Sequence, residues 1–135
     1  MPIRFVIDHE KQIIYETWDG EISYKDLEDF WNTISQNPDV MSIRRSLVDA
    51  RKAIPIFSGA ELSNLIHEVA PLLIDLGWIT AIVVERPVQL GISNQYRVFA
   101  ESYSQDAIFQ DPDLALQWLV QQKHKSSSNL KSCDQ

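Results

Sequence analysis

The chain has a single cysteine, Cys133, in 135 residues, so no internal disulfide can form and a cross-linked framework is excluded. Its three histidines are isolated, and with one cysteine they make no metal-ligand spacing, so no metal is expected. Long apolar runs are missing. The most apolar stretch, Ile79 to Val84, is far short of the roughly 20 residues that cross a bilayer, and no transmembrane segment is expected. The opening Met-Pro-Ile-Arg-Phe-Val-Ile-Asp lacks the basic and then apolar regions of a secretory signal, so the expected compartment is the cytoplasm. Positive charge is in deficit. A net charge of -7 argues against nucleic acid as a partner, because phosphate backbones are held by clustered Lys and Arg. The one basic cluster is Arg44, Arg45, Arg51 and Lys52. There is no G-x-G-x-x-G or G-x-x-x-x-G-K-[ST] loop for a nucleotide and no G-x-S-x-G elbow, so neither a cofactor nor a hydrolase nucleophile is indicated.

What is present is an ordinary globular composition, 44% hydrophobic and 23% charged, in a length that suits one domain with a proper core. That domain is expected over residues 1–123. From His124 onward no apolar periodicity remains, and residues 124–135 read as a disordered tail.

Ile3, Phe5 and Ile7 alternate with Arg4, Val6 and Asp8, and Gln12 to Trp18 is a second extended run, so an antiparallel hairpin is predicted, stopped by Asp19-Gly20. Ser23, with Asp26 three residues on, caps a first helix through Tyr24, Leu27, Trp31 and Ile34, which Asn37-Pro38 ends. Ser46 to Ala50 is a short buried strand, and Pro55 marks the loop after it. Ser58-Gly59-Ala60-Glu61 is a capping box that opens a second helix, whose stripe runs through Leu62, Leu65, Ile66, Val69, Leu72, Leu73 and Leu76 to a stop at Gly77. Trp78 to Glu85 reads as the central strand. A third helix carries Ile92, Tyr96, Phe99 and Tyr103, and Ala107-Ile108-Phe109 is a last strand. Asp111-Pro112 launches a final helix with Leu114, Ala115, Trp118 and Leu119 on its buried side. The fold class is therefore α/β: a mixed sheet of four to five strands flanked by helices, in the order ββαβαβαβα.

This order, with Leu47-Val48-Asp49-Ala50-Arg51, Ala81-Ile82-Val83-Val84-Glu85 and the run from Phe109-Gln110-Asp111 to Trp118-Leu119, resembles the SpoIIAA-like group of the STAS superfamily (sulfate transporter and anti-sigma-factor antagonist). The resemblance spans Ile3 to Leu119. It implies a non-catalytic regulatory or protein-interaction domain, in which a serine at the start of the second helix is phosphorylated and the partner complex breaks. Ser58 falls at that place, although those antagonists have an Asp-Ser-Ser-Gly-like signature where this chain has Ile56-Phe57-Ser58-Gly59. The same α/β plan also resembles the CRAL-TRIO lipid-transfer group, which implies an apolar ligand.

Two functional readings from different classes follow. The first is docking of a protein partner on Asp49, Arg51, Ser58 and Gly59, with Ser58 as the switch. Its plain structural counterpart is that Ser58 only caps a helix, and that Asp49 only makes an Asx turn. The second is a carrier or sensor that holds a small apolar molecule among Leu65, Val69, Tyr96 and Phe99, side chains that core packing explains equally well. A homodimer is left open. No catalytic residue is assigned. Ser58, His67 and Asp75 cannot form a triad on one helix, because nine residues at about 1.5 Å each part Ser58 from His67 by roughly 13 Å.

Overall fold

The alternating residues of the first segment form β1 (Ile3–Asp8), and the chain turns back through Gln12, which takes a left-handed backbone (φ 59°). It then pairs antiparallel as β2 (Ile13–Ile22), Ile3 opposite Trp18 and Asp8 opposite Ile13. This is a computed structural model and it describes residues 2–123, with only the backbone described at 72–76. The predicted tail with Cys133, and the side chains of Leu72, Leu73 and Leu76, lie outside the described residues.

Contrary to the sequence expectation, Asp19-Gly20 does not stop β2. Gly20 adopts φ 85°, open to glycine at no steric cost, and the strand continues to Ile22 beside a longer neighbour. The hairpin leads into α1 (Tyr24–Ser35), capped as expected: Ser23 Oγ accepts the Asp26 N–H and the Asp26 carboxylate accepts the Ser23 N–H. Asn37-Pro38 ends α1 but also starts a short helix that the sequence reading did not foresee, α2 (Pro38–Ile43). Asn37 Oδ1 caps the Asp39 and Val40 N–H groups, and Pro38 sits at the first position, where no donor is needed.

β3 (Arg45–Pro55) is twice the expected length. Its first half pairs with β4 (Trp78–Val83) and its whole length with β2, both parallel. Pro55 is tolerated because the Ile56 N–H bonds to Ile22 O, so the proline nitrogen faces the other side, where β4 has already ended. Between β3 and β4 runs α3 (Gly59–Leu76), ended by Gly77 at φ 63°, as its position predicted. α4 (Pro87–Ala100) leads to β5 (Ser104–Phe109), and α5 (Pro112–Gln121) follows, capped by Asp111. Arg45 at the start of β3 ties α5 down: its guanidinium donates to the carbonyls of Leu119 and, at 2.8 Å, Gln122.

The five strands lie side by side in chain order, β1-β2-β3-β4-β5. Parallel crossovers are right-handed, so a sheet that grows in one direction puts every crossover helix on one face. The packing agrees. Ile14, Val48 and Ile82 join Leu27, Phe30, Leu65 and Ile66 in one core, while Ile13, Leu47, Ile79, Ala81 and Val83 meet Ala115 and Leu119 of α5 on the other face, with Leu116 and Trp118 packed at the margin. Among the described residues the strand order never reverses, so their sheet has no switch-point crevice at the strand ends. In α5 the sequence reading needs correction: Leu114 is 52% exposed, and Trp118 is half-buried against Phe109 (ring centroids 5.8 Å apart).

Candidate functional site

The helix-covered face of the sheet holds a partly open cavity of about 110 Å³. Trp18 and Ile22 of β2, Val48, Ala50 and Ala53 of β3, and Trp78 and Ile82 of β4 form its floor. Its roof is Leu27, Phe30, Trp31 and Ile34 of α1, Leu62 and Leu65 of α3, and Ile92 and Tyr96 of α4, with Phe57 at one side. Trp31 meets Trp78 edge to face at 5.9 Å, and Phe5 holds Phe30 in the same way at 6.0 Å, so the rings are fixed by their neighbours.

One carboxyl enters this apolar space. In Ile14-Tyr15-Glu16-Thr17-Trp18 the two-residue period puts Glu16 on the same face as Ile14 and Trp18, and the residue is 6% exposed. Its Oε1 accepts from Trp18 Nε1 at 3.1 Å. Burial pushes the Glu16 carboxyl up to about 7, and hydrogen bonding from Trp18 and Ser46 offsets only part of that rise.

Glu16 stands at one end of a polar row across the sheet. Ser46, Thr80 and Asp106 are in register on β3, β4 and β5, and Ser46 pairs with Ile14, two residues before Glu16. Trp78 Nε1 donates to Ser46 Oγ at 3.3 Å, and Ser104 Oγ donates to Asp106 Oδ2. Asp106 Oδ1 is buried with no hydrogen-bond partner, and burial pushes this carboxyl, too, up to about 7. Above the row, burial and then the Asp106 charge raise the Tyr96 phenol well above its usual range. Glu16 and Asp106 are three strand spacings apart, about 14 Å at about 4.8 Å each, too far for a catalytic carboxylate pair.

The residues singled out from sequence are divided by the fold. Leu65 and Tyr96 line the cavity; Val69 is buried in the same core outside the lining, and Phe99 is 37% exposed. Asp49 lies between Val48 and Ala50, both of which line the cavity, so strand alternation turns it to the opposite face. There the β2–β3 register slips, with Thr17 opposite Asp49 and Asp19 opposite Lys52. At this bulge Asp49 Oδ1 accepts the Arg51 N–H at 3.2 Å, and both carboxylate oxygens accept from the guanidinium at 2.9 Å. Arg51 holds the Asp49 carboxyl below its usual range. Gly59 is half-exposed, and a Cβ there would come 2.9 Å from the mobile end of Gln95, so the fold does not depend on its being glycine.

Ser58 is exposed and occupied as a cap: its N–H donates to Glu61 Oε1 at 2.8 Å and its Oγ accepts the Glu61 N–H at 3.1 Å. Ser58→Ala is expected to cost about 1 kcal/mol in urea unfolding, and Ser58→Asp close to nothing, since Asp caps as well and suits the helix dipole. Equal stability of all three proteins would show that the box contributes nothing in solution.

Sequence reasoning missed Glu16, Asp106 and Gln89. For the carboxyls a signal existed in their alternation with Ile14 and Ile108, and for Gln89 in its place three residues after Arg86 at the start of α4. Among the described residues no group of His, Cys, Asp and Glu could hold a metal ion, and no helix is long and apolar enough to cross a membrane.

No protein-family model and no curated protein matches this sequence. Among solved structures it is similar to an uncharacterised protein of the DUF3478 family, described as having a SpoIIAA-like fold, from Shewanella loihica PV-4. The two share 15% sequence identity at a TM-score of 0.55, over 87% of this chain and 91% of that one. With its mixed five-stranded sheet and flanking helices, the chain has a SpoIIAA-like fold.

Proposed function

We propose that this domain binds a small, largely apolar molecule between its sheet and helices α1, α3 and α4, as a non-catalytic carrier or sensor. The observation that carries the reading is the cavity itself. Protein interiors are close-packed, and voids larger than a water molecule are few. This one, about 110 Å³ and walled mainly by aromatic and aliphatic side chains with Glu16, Thr80, Gln89 and Ser93 among them, is of the order of the roughly 150 Å³ apolar cavity that admits benzene. Glu16 and Asp106, held too far apart to share a reaction, support binding rather than catalysis.

The test uses toluene. Trp18, Trp31 and Trp78 line the cavity, so its entry is expected to change tryptophan emission and to raise the melting temperature of the wild type. Leu65→Trp, which fills the space, is expected to fold with a cost of about 1 to 3 kcal/mol and to lose both responses. An unchanged response in Leu65→Trp, or none in the wild type, would remove the reading.

A second reading, a protein-docking face at Ser58 that phosphorylation switches, has its own support. Ile54 and Ile56, on the segment leading to Ser58, are 45% and 56% exposed. A dianionic phosphate beside them would reverse the character of that surface. Pull-down with wild type, Ser58→Ala and Ser58→Asp should recover one partner with the first two and lose it with the third; identical recovery by all three argues against a switch.

A further inference from the structure

We propose that the occupant of the cavity is a small organic cation, an apolar body bearing one ammonium group, with Glu16 as its counter-ion. The proposal rests on the ligand-binding reading above and deepens it to a ligand class.

The lining has a charge pattern that an all-apolar or fatty-acid ligand does not need. Glu16 is its one carboxyl, and no Lys, Arg or His lines the cavity among the described residues. Six aromatic residues do: Trp18, Phe30, Trp31, Phe57, Trp78 and Tyr96. The faces of such rings carry negative quadrupole charge and attract cations, and enclosure by several rings with a carboxylate is how ammonium groups are recognised in dry sites. An anionic ligand would meet Glu16 with no compensating charge.

The Glu16 carboxyl is also incompletely provided for. An ionised carboxylate offers about four acceptor sites, and this one receives an indole N–H from Trp18 at 3.1 Å with help from the Ser46 hydroxyl. A buried charge without a partner is costly, and removal of that cost by a ligand is a direct source of affinity. The other ionisable groups near it do not supply the missing charge. Tyr96 faces it from α4 as a neutral phenol, and Asp106, further along the row, is of the same sign. A cation is therefore the ligand charge that this surrounding rewards. The raised titration of Glu16 supports the same view, since it marks a carboxyl that burial penalises and no protein cation rescues.

The experiment compares three probes with one ring and different charge: benzylammonium, toluene and benzoate, titrated at pH 8 into wild type and Glu16→Gln by tryptophan fluorescence and calorimetry. Wild type is expected to bind benzylammonium at least tenfold more tightly than toluene, and benzoate not at all. Glu16→Gln should lose that preference while still binding toluene, which shows that its cavity remains. Toluene binding as tight as benzylammonium in the wild type, or a preference that survives in Glu16→Gln, overturns the cation assignment and leaves the apolar cavity reading in place. If none of the three binds the wild type, both proposals fall. Binding of benzoate in preference to the other two overturns the charge argument outright.

Discussion

Replacing Gln89 by leucine is expected to lower the unfolding free energy by about 3 to 5 kcal/mol, the largest single-residue effect in the domain outside its apolar core. The reason is geometric. β4 stops at Val83 while β3 runs on to Pro55, so the carbonyls of Arg51 and Ala53 have no strand beside them on that side. The Gln89 amide, 1% exposed, takes the place of the missing strand: Nε2 donates to Arg51 O at 2.8 Å and to Ala53 O at 3.0 Å. Its Oε1 accepts the Glu85 and Arg86 N–H groups at 2.8 and 3.0 Å. Leucine fills the volume but strands two donors and two acceptors, and each buried unmade hydrogen bond costs about 1 to 3 kcal/mol. Water reaches some of them, which is why the costs do not simply add. Gln89→Glu should be tolerated no better, because it keeps the two acceptor contacts but sets carboxylate oxygens against two carbonyls. Urea unfolding of the three proteins decides it, and a change below about 1 kcal/mol for Gln89→Leu would mean that water replaces the side chain.

The second large effect depends on pH. Glu16 titrates at 4.5 in the unfolded chain and at about 7 when folded. Below pH 4.5 both states hold the proton and Glu16 contributes nothing. From there to about pH 7 the folded state keeps a proton that the unfolded state has lost, so stability falls as pH rises, by about 1.4 kcal/mol per unit. Above pH 7 the whole penalty, about 3 kcal/mol, is present. Glu16→Gln removes the ionisation. Relative to wild type it should be about equally stable at pH 5 and about 2 to 3 kcal/mol more stable at pH 8, the smaller figure allowing for weaker hydrogen bonds to a neutral amide. Asp106 imposes the same downward trend on both proteins and cancels in the difference. Asp26 and Asp49, whose carboxyls are lowered, act in the opposite sense and only below about pH 4. Denaturant curves at pH 5, 6, 7 and 8 test the sign, and a difference between the two proteins that stays constant with pH would refute it.

The two predictions involve residues that no sequence pattern had singled out, whereas much of the fold was legible from local chemistry. Hydrophobic period identified five strands and four of the five helices found among the described residues. Caps placed the helix starts at Ser23, Ser58 and Asp111 and the stop at Gly77, because these depend on a few neighbouring backbone groups and on nothing distant. Asn37-Pro38 was ambiguous for the same reason: the pair that halts one helix is also a good cap and first residue for the next.

What the chain by itself determined, then, is its elements and their order, since periodicity and capping act within one or two turns. The tertiary structure alone decided how far the strands run and what the polar residues do. Pro55 belongs to a strand because β4 ends early and leaves that side open. Gln89 is structural because β3 overhangs its neighbour, and Asp49 is turned from the cavity by alternation and held in a bulge by Arg51. Glu16 gains its altered chemistry only when three helices close over one face of the sheet. Burial, register and charge compensation are set by residues far apart in sequence, so the site came into view only once β2, β3 and β4 were aligned beneath α1, α3 and α4.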